Sequence, residues 1–192
     1  MKEKISLNKI IRVATTAPIM AFVLLTVLYF FRGDIYRSIY DYIWAVVFLT
    51  ILPIMAYPIQ PIVPGFRDKG RTGQRNLAII MAVLGYIAGI IYAVVSKAPD
   101  SLLFVYMTYL ISGLLIALFN KVLKIRASGH ACGVAGPVAL LGCTMGWYAV
   151  FGLPLIAIVF AASLKMKRHT FSELVIGSLI AVFSVAIGLL IM

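Results

Sequence analysis

Apolar residues run in long unbroken stretches along this chain, with polar residues gathered in short clusters between them. A helix needs roughly 20 apolar residues to cross a bilayer core of about 30 Å. Residues 10–31, 41–60, 77–96, 102–120 and 171–192 meet that length. Arg12 stands near the start of the first run, Asp41 and Gln60 at the edges of the second, and Glu173 near the entrance of the last. None of the runs alternates apolar with polar residues as a barrel strand does. Backbone groups in lipid must be satisfied within the segment, so the pattern predicts helices.

Residues 131–164 read differently. They hold 34 residues without a charge, about 51 Å of helix at about 1.5 Å per residue. That is too long for one untilted span and slightly short for two. Residues 147–152 offer a turn, with Pro154 just beyond, and Trp147 and Tyr148 suit a bilayer edge. Two short helices are expected here, giving seven spans in all, or six if the first helix lies along the surface.

Composition gives the same picture. The chain has 192 residues, 63% hydrophobic and 12% charged, where a soluble domain carries about a quarter charged residues. The fold expected is an all-α integral membrane protein, a bundle of six to seven transmembrane helices in a single domain over 1–192. No linker and no internal repeat divides it. The first span resembles an uncleaved signal anchor, too long for a signal-peptide core and without a small-residue cleavage site. Cys132 and Cys143 fall in one span, too far apart along a helix to bond, and read as packing residues. No histidine or cysteine spacing suggests a metal site, no cofactor is implied, and no nucleic-acid partner is expected.

Charge sorts the loops. With seven spans, all but Arg32, Arg37 and Lys97 of the 17 basic residues fall on one face. The positive-inside rule places that face in the cytoplasm, here of a prokaryotic cytoplasmic membrane. An anion site would make its own face basic wherever it lay. Lys2, Lys4, Lys9 and Arg12 are expected to lie outside such a site, which makes them the independent witness to orientation.

Three segments of that face carry unusual polar residues: 67–75 before the third span, 126–130 opening the fifth, and 165–173 opening the last. Even numbers of spans separate them, so they meet at one face. Lys69, Arg71, Arg75, Arg126 and Lys165 supply cations that suit a phosphate dianion. Ser128 and Gly129 stand where a helix begins and its free N–H groups bind anions. His169 and Glu173 are four apart and share a helix face. A carboxylate beside an imidazole fixes its tautomer and leaves the other nitrogen as a nucleophile. His130 is placed to protonate a leaving oxygen. These are the only two histidines of the chain, and Glu173 is the only acid inside a span's entrance.

Ser128-Gly129-His130 followed by His169-x3-Glu173 resembles the type 2 phosphatidic acid phosphatase superfamily of membrane lipid phosphatases, over roughly residues 67–177. Arg168-His169-Thr170 with Gly177 downstream adds to the likeness. The resemblance implies a helical fold and a metal-independent phosphatase. His169 would form a phosphohistidine, His130 would be the general acid and Glu173 would orient His169. Ser128, Gly129 and Lys69, Arg71 or Arg75 would hold the phosphate of a phosphatidate-like lipid or a polyprenyl mono- or diphosphate. The chain departs from the family pattern at three places. Lys69 and Arg75 are one residue closer than in the first motif, and Asn76 replaces its proline. Ser163 stands where an arginine precedes the nucleophile by six residues; Lys165 or Arg126 would have to substitute. Glu173 stands where aspartate is commoner. The Ser163 departure motivates an alternative from another class, a non-catalytic lipid-phosphate-binding or scaffold protein on the same fold. An ion pathway is disfavoured, because the span centres are nearly free of charge.

Overall fold

A computed structural model describes residues 7–192, and every regular element among them is helical. Five helical runs are long and apolar enough to cross a bilayer: Ile39–Ile62, Arg67–Val95, Asp100–Val122, Gly129–Lys165 and Phe171–Ile191. A sixth consists of α1 (Leu7–Ala14) and α2 (Ala17–Phe31), which meet at a bend of 58°. The protein is an all-α membrane bundle. Lys2 and Lys4 lie outside the described residues.

The bend has a local cause. Pro18 has no N–H, and its ring excludes a helical carbonyl four residues back, so α1 cannot run straight into α2. Thr16 is extended at the junction. α1 is amphipathic. Leu7, Ile10 and Val13 are exposed on its outer side, while Ile11 packs inward against the cluster of Met20, Val134 and Val159.

The next span joins α3 (Ile39–Val46) to α4 (Leu52–Ile59) through a wide turn over Val47–Ile51, in which the Leu52 N–H reaches the Val47 carbonyl. In that register Pro53 would donate to Phe48 and has nothing to donate. The Phe48 carbonyl instead lies directly over Gly85 of α5 (Gly70–Val95), where a Cβ would collide with it. α6 (Asp100–Ala117) returns and ends in a second wide turn, Leu118–Val122.

The run Gly129–Lys165 folds back on itself. α7 (Gly129–Met145) and α8 (Leu153–Lys165) are joined by a tight helical turn over Gly146–Gly152. Val134 of α7 shares a buried cluster with Val159 of α8, and Gly152 lies against Val138. The legs are about 25 Å and 20 Å long at about 1.5 Å per residue, both shorter than a bilayer core. Trp147 and Tyr148 are exposed on the turn and stack with ring centroids 4.3 Å apart. The turn is thus where residues 147–152 predict it.

α9 (Phe171–Ile191) packs most extensively on α7 and also on α6. Leu24, Leu25, Leu28, Leu49, Leu102, Tyr106 and Leu140 form the main core between the helices. The chain alternates ends, so α1, residues 63–69, 123–128 and 166–170 share one end of the bundle. The other end is tied by Arg37, which pairs with the buried Asp41 at 2.7 Å and donates to the Ser96 carbonyl. Tyr92 Oη donates to the same carboxylate at 2.7 Å. Arg32 there pairs with Asp34 at 2.8 Å and donates to the Thr144 carbonyl.

Candidate phosphate site at the basic end of the bundle

Capping residues set the two helix starts beside the histidines: His130 is inside α7, whereas His169 precedes the N-cap of α9 and so reaches Glu173 from the loop and not from a shared helix face. Ser128 is the N-cap of α7, its Oγ accepting from the Ala131 N–H at 3.2 Å. Thr170 is the N-cap of α9, its Oγ1 accepting from the Glu173 N–H at 3.3 Å. Asn120 ties down the segment before α7. Its Nδ2 donates to the Ile116 and Ala127 carbonyls at 2.9 and 3.0 Å, and its Oδ1 accepts from the Ala127 N–H at 3.2 Å. α8 ends in a turn in which the Arg168 N–H reaches the Ser163 carbonyl at 3.2 Å and the Lys167 N–H reaches Leu164 at 2.9 Å. That closure fixes where Arg168 and His169 leave the helix.

The two loops are stitched together. The Ser128 N–H donates to the Glu173 carbonyl at 2.9 Å. Gly177, one turn further along α9, lies so close to the Ser128 carbonyl that a Cβ would collide with it. His169 Nδ1 lies 2.8 Å from Glu173 Oε2, and Arg126 Nε lies 3.2 Å from Oε1 of the same carboxylate. Glu173 is nearly enclosed, with 8% of its side chain exposed, and His169 keeps 25%. The carboxylate sits in the first turn of α9, where the helix dipole favours negative charge. A carboxylate at Nδ1 favours the tautomer with the proton on that nitrogen and leaves Nε2 without a partner from Glu173.

His130, one residue into α7, lies within electrostatic range of His169 and of Arg12. Its Nε2 is 3.1 Å from Thr15 Oγ1. The Thr15 hydroxyl already donates its only proton to the Ile11 carbonyl at 2.7 Å, so Nε2 is the donor and Nδ1 is left to accept or release a proton.

The expected site residues therefore separate into groups. His169, Glu173, Arg126, Ser128 and His130 come together. Gly129 is exposed at the start of α7, while Ser128 is fully buried and its hydroxyl oxygen is taken up as a cap. Lys165 is exposed at the last turn of α8. Lys69, Arg71 and Arg75 are exposed at the start of α5. Lys69 Nζ stands 5.9 Å from the Phe66 ring. Arg71 alone of the three is within electrostatic range of the α1 side of the site, through Arg12. Ser163 is buried in α8.

Three residues with a part in the site carry no motif signal: Arg12, Thr15 and Asn120. Arg12 is expected from sequence to lie apart from it, yet the bend at Thr15–Thr16 brings it within electrostatic range of Arg168, Arg71 and His130. Asn120 stands at the end of a predicted span, and its place at a helix end before a loop is the one signal that would have flagged it. Among the described residues no cluster of three histidine, cysteine or acidic side chains is suited to a metal ion. Cys132 and Cys143 are both free thiols.

No protein-family model matches this chain, and no curated protein or solved structure does either.

Proposed function

We propose that the protein is a metal-independent phosphatase of lipid phosphates, acting by the route its resemblance to type 2 phosphatidic acid phosphatases suggests. The observation that carries the reading is the chain of contacts Arg126–Glu173–His169, opposite His130, at the end of the bundle where unpaired cations collect. Glu173 holds Nδ1, so Nε2 of His169 attacks phosphorus. The bond from phosphorus to the lipid oxygen breaks, and His130 gives that oxygen a proton. Water then attacks the phosphohistidine, with His130 taking the proton back, which releases phosphate and restores His169. Arg126 and Arg71, with the α7 start at Gly129, offset the charge that builds on the phosphoryl oxygens.

The substrate class is a phosphomonoester or diphosphate whose tail stays in the bilayer, such as phosphatidate or a polyprenyl phosphate. Apolar residues of α1 are exposed at the same end of the bundle, which suits a substrate whose headgroup stays at the membrane surface. The charge bias across the bundle supports a cytoplasmic active face in a prokaryotic cytoplasmic membrane. A second reading, binding of a lipid phosphate without turnover, is favoured by one observation. Ser163 is buried and supplies only a carbonyl to the turn before His169, where the resemblance leads one to expect an arginine.

Phosphate release separates the two. Detergent-purified protein, free of metal, is offered phosphatidate, a polyprenyl phosphate and a polyprenyl diphosphate. Release is expected from at least one. His169→Ala should abolish it, and His130→Ala should lower it about 10²–10⁴-fold. Turnover that survives His169→Ala would refute the phosphohistidine route. Binding with no release by the native chain would leave the scaffold reading.

A further inference from the structure

We infer that Arg12, carried on α1, is a phosphate-holding residue of this site, so that α1 forms one of its walls. The inference rests on the phosphate site proposed above and adds a residue that its motifs do not contain.

Residues on opposite sides of α1 do opposite things. Leu7, Ile10 and Val13 are exposed on the outer side, which suits a helix lying at the bilayer surface. Ile11 and Arg12 lie on the inner side with Thr15, which is four residues from one and three from the other. Ile11 packs with Val134 of α7 and Val159 of α8. Thr15 accepts from His130 Nε2 at 3.1 Å and anchors to the Ile11 carbonyl at 2.7 Å. Ala17, just past the bend, lies against Gly133, one turn along α7 from His130. Arg12 is thereby held one turn from the Thr15–His130 contact, within electrostatic range of Arg168 and Arg71.

Arginines from three separate segments, Arg12, Arg71 and Arg168, so lie within electrostatic range around Arg12, one turn from the Thr15–His130 contact. Among the described residues, no carboxylate forms an ion pair with Arg12, Arg71 or Arg168. The nearby carboxylate, Glu173, is already shared by Arg126 and His169. Like charges held together without an acid are relieved by an anion. A phosphate monoester dianion matches both the charge and the fork geometry of guanidinium groups. The bend at Pro18 is what turns Arg12 inward, so a straight first helix would not place it there.

Phosphate binding tests this without turnover. The native protein in detergent is titrated with inorganic phosphate, and separately with phosphatidate in mixed micelles, reading the thermal midpoint and the half-saturating concentration. Arg12→Ala should weaken both ligands about 10- to 100-fold, the loss expected of one charge-assisted hydrogen-bonding group. Arg12→Lys should keep the charge and recover part of the affinity. Lys9→Ala, which removes an exposed cation from the same helix, should bind as the native chain does. The ligand-free midpoint of each variant reports folding. Equal binding by Arg12→Ala and native protein would overturn the inference, as would no phosphate binding by the native chain. A loss for phosphatidate alone would also overturn it, because Arg12 would then serve the lipid surface. Weakened phosphate binding in Arg12→Ala, together with turnover that survives His169→Ala, would sustain Arg12 while removing the phosphohistidine reading.

Discussion

Lys167 adopts φ 51° in the turn that delivers Arg168 and His169, a left-handed conformation that side chains with a Cβ resist. The turn needs it, because the Arg168 N–H reaches back to Ser163 only when the residue between them is left-handed. A lysine there carries a cost of about 1–2 kcal/mol. Glycine would remove it, and the extra freedom of the unfolded chain would return about 0.5–1 kcal/mol of that gain. Lys167→Gly is therefore expected to raise stability by up to about 1 kcal/mol. Lys167→Ala, which removes the charge but keeps the Cβ, should give no such rise. Thermal unfolding in detergent compares them, and a lower midpoint for the glycine variant would contradict the reading. At this scale the site was unevenly legible. The His169–Glu173 contact was expected from a spacing of four on one helix, but His169 precedes the N-cap Thr170 and reaches Glu173 from the loop, so the pairing was legible and its geometry was not. The partnership of Thr15 with His130 spans 115 positions and depends on a bend, so no local pattern announces it. Ser128 looked like a ligand because a hydroxyl at a helix start serves equally as a cap, and only the fold shows which role its oxygen has taken.

Between elements, the contact that matters most to the site is α9 against the start of α7. Gly177 leaves room for the Ser128 carbonyl, while the Ser128 N–H holds the Glu173 carbonyl one turn earlier. A methyl group at 177 must push α9 away from that loop, because the obstacle is backbone and not a mobile side chain. Gly177→Ala is expected to cost about 1–3 kcal/mol. It should also lower phosphate release, since Glu173 and Ser128 would separate. Gly136→Ala, on the same pair of helices, meets only the Ala181 methyl at 3.9 Å and should be neutral or slightly stabilising. Equal behaviour of the two variants in thermal unfolding and phosphate release would show that the close approach is unimportant. The spans themselves were readable because lipid demands length and apolarity and little else. The hairpin over 131–164 was readable from arithmetic, too long for one span and too short for two. The wide turn at Val47–Ile51 was not. It arises where Pro53 leaves the Phe48 carbonyl to find Gly85, a pairing of two helices that neither stretch reveals alone.

Across the whole molecule, the charge asymmetry is steeper than a count of loops suggests. Arg32 and Arg37, two of the three basic residues at the less basic end, are matched by Asp34 and Asp41. At the other end the single ion pairs of Arg67 with Asp68 and Arg126 with Glu173 leave most cations unmatched among the described residues. Lysine and arginine flanks orient spans during insertion, so the end that holds the proposed site is expected to face the cytoplasm. The anion-binding role proposed for that end gives its own reason for positive charge, so a direct measurement decides orientation. With Cys132→Ala and Cys143→Ala as background, Lys69→Cys, Lys124→Cys and Lys97→Cys each place one thiol in an exposed or partly exposed loop position. A membrane-impermeant maleimide applied to intact cells should label Lys97→Cys alone, and all three after the cells are opened. Labelling of Lys69→Cys and Lys124→Cys from outside, with Lys97→Cys protected, would turn the protein over and move the phosphate chemistry to the outer face. Labelling of Lys69→Cys and Lys97→Cys alike would break the alternation of ends on which the convergence of 67–75, 126–130 and 165–173 depends.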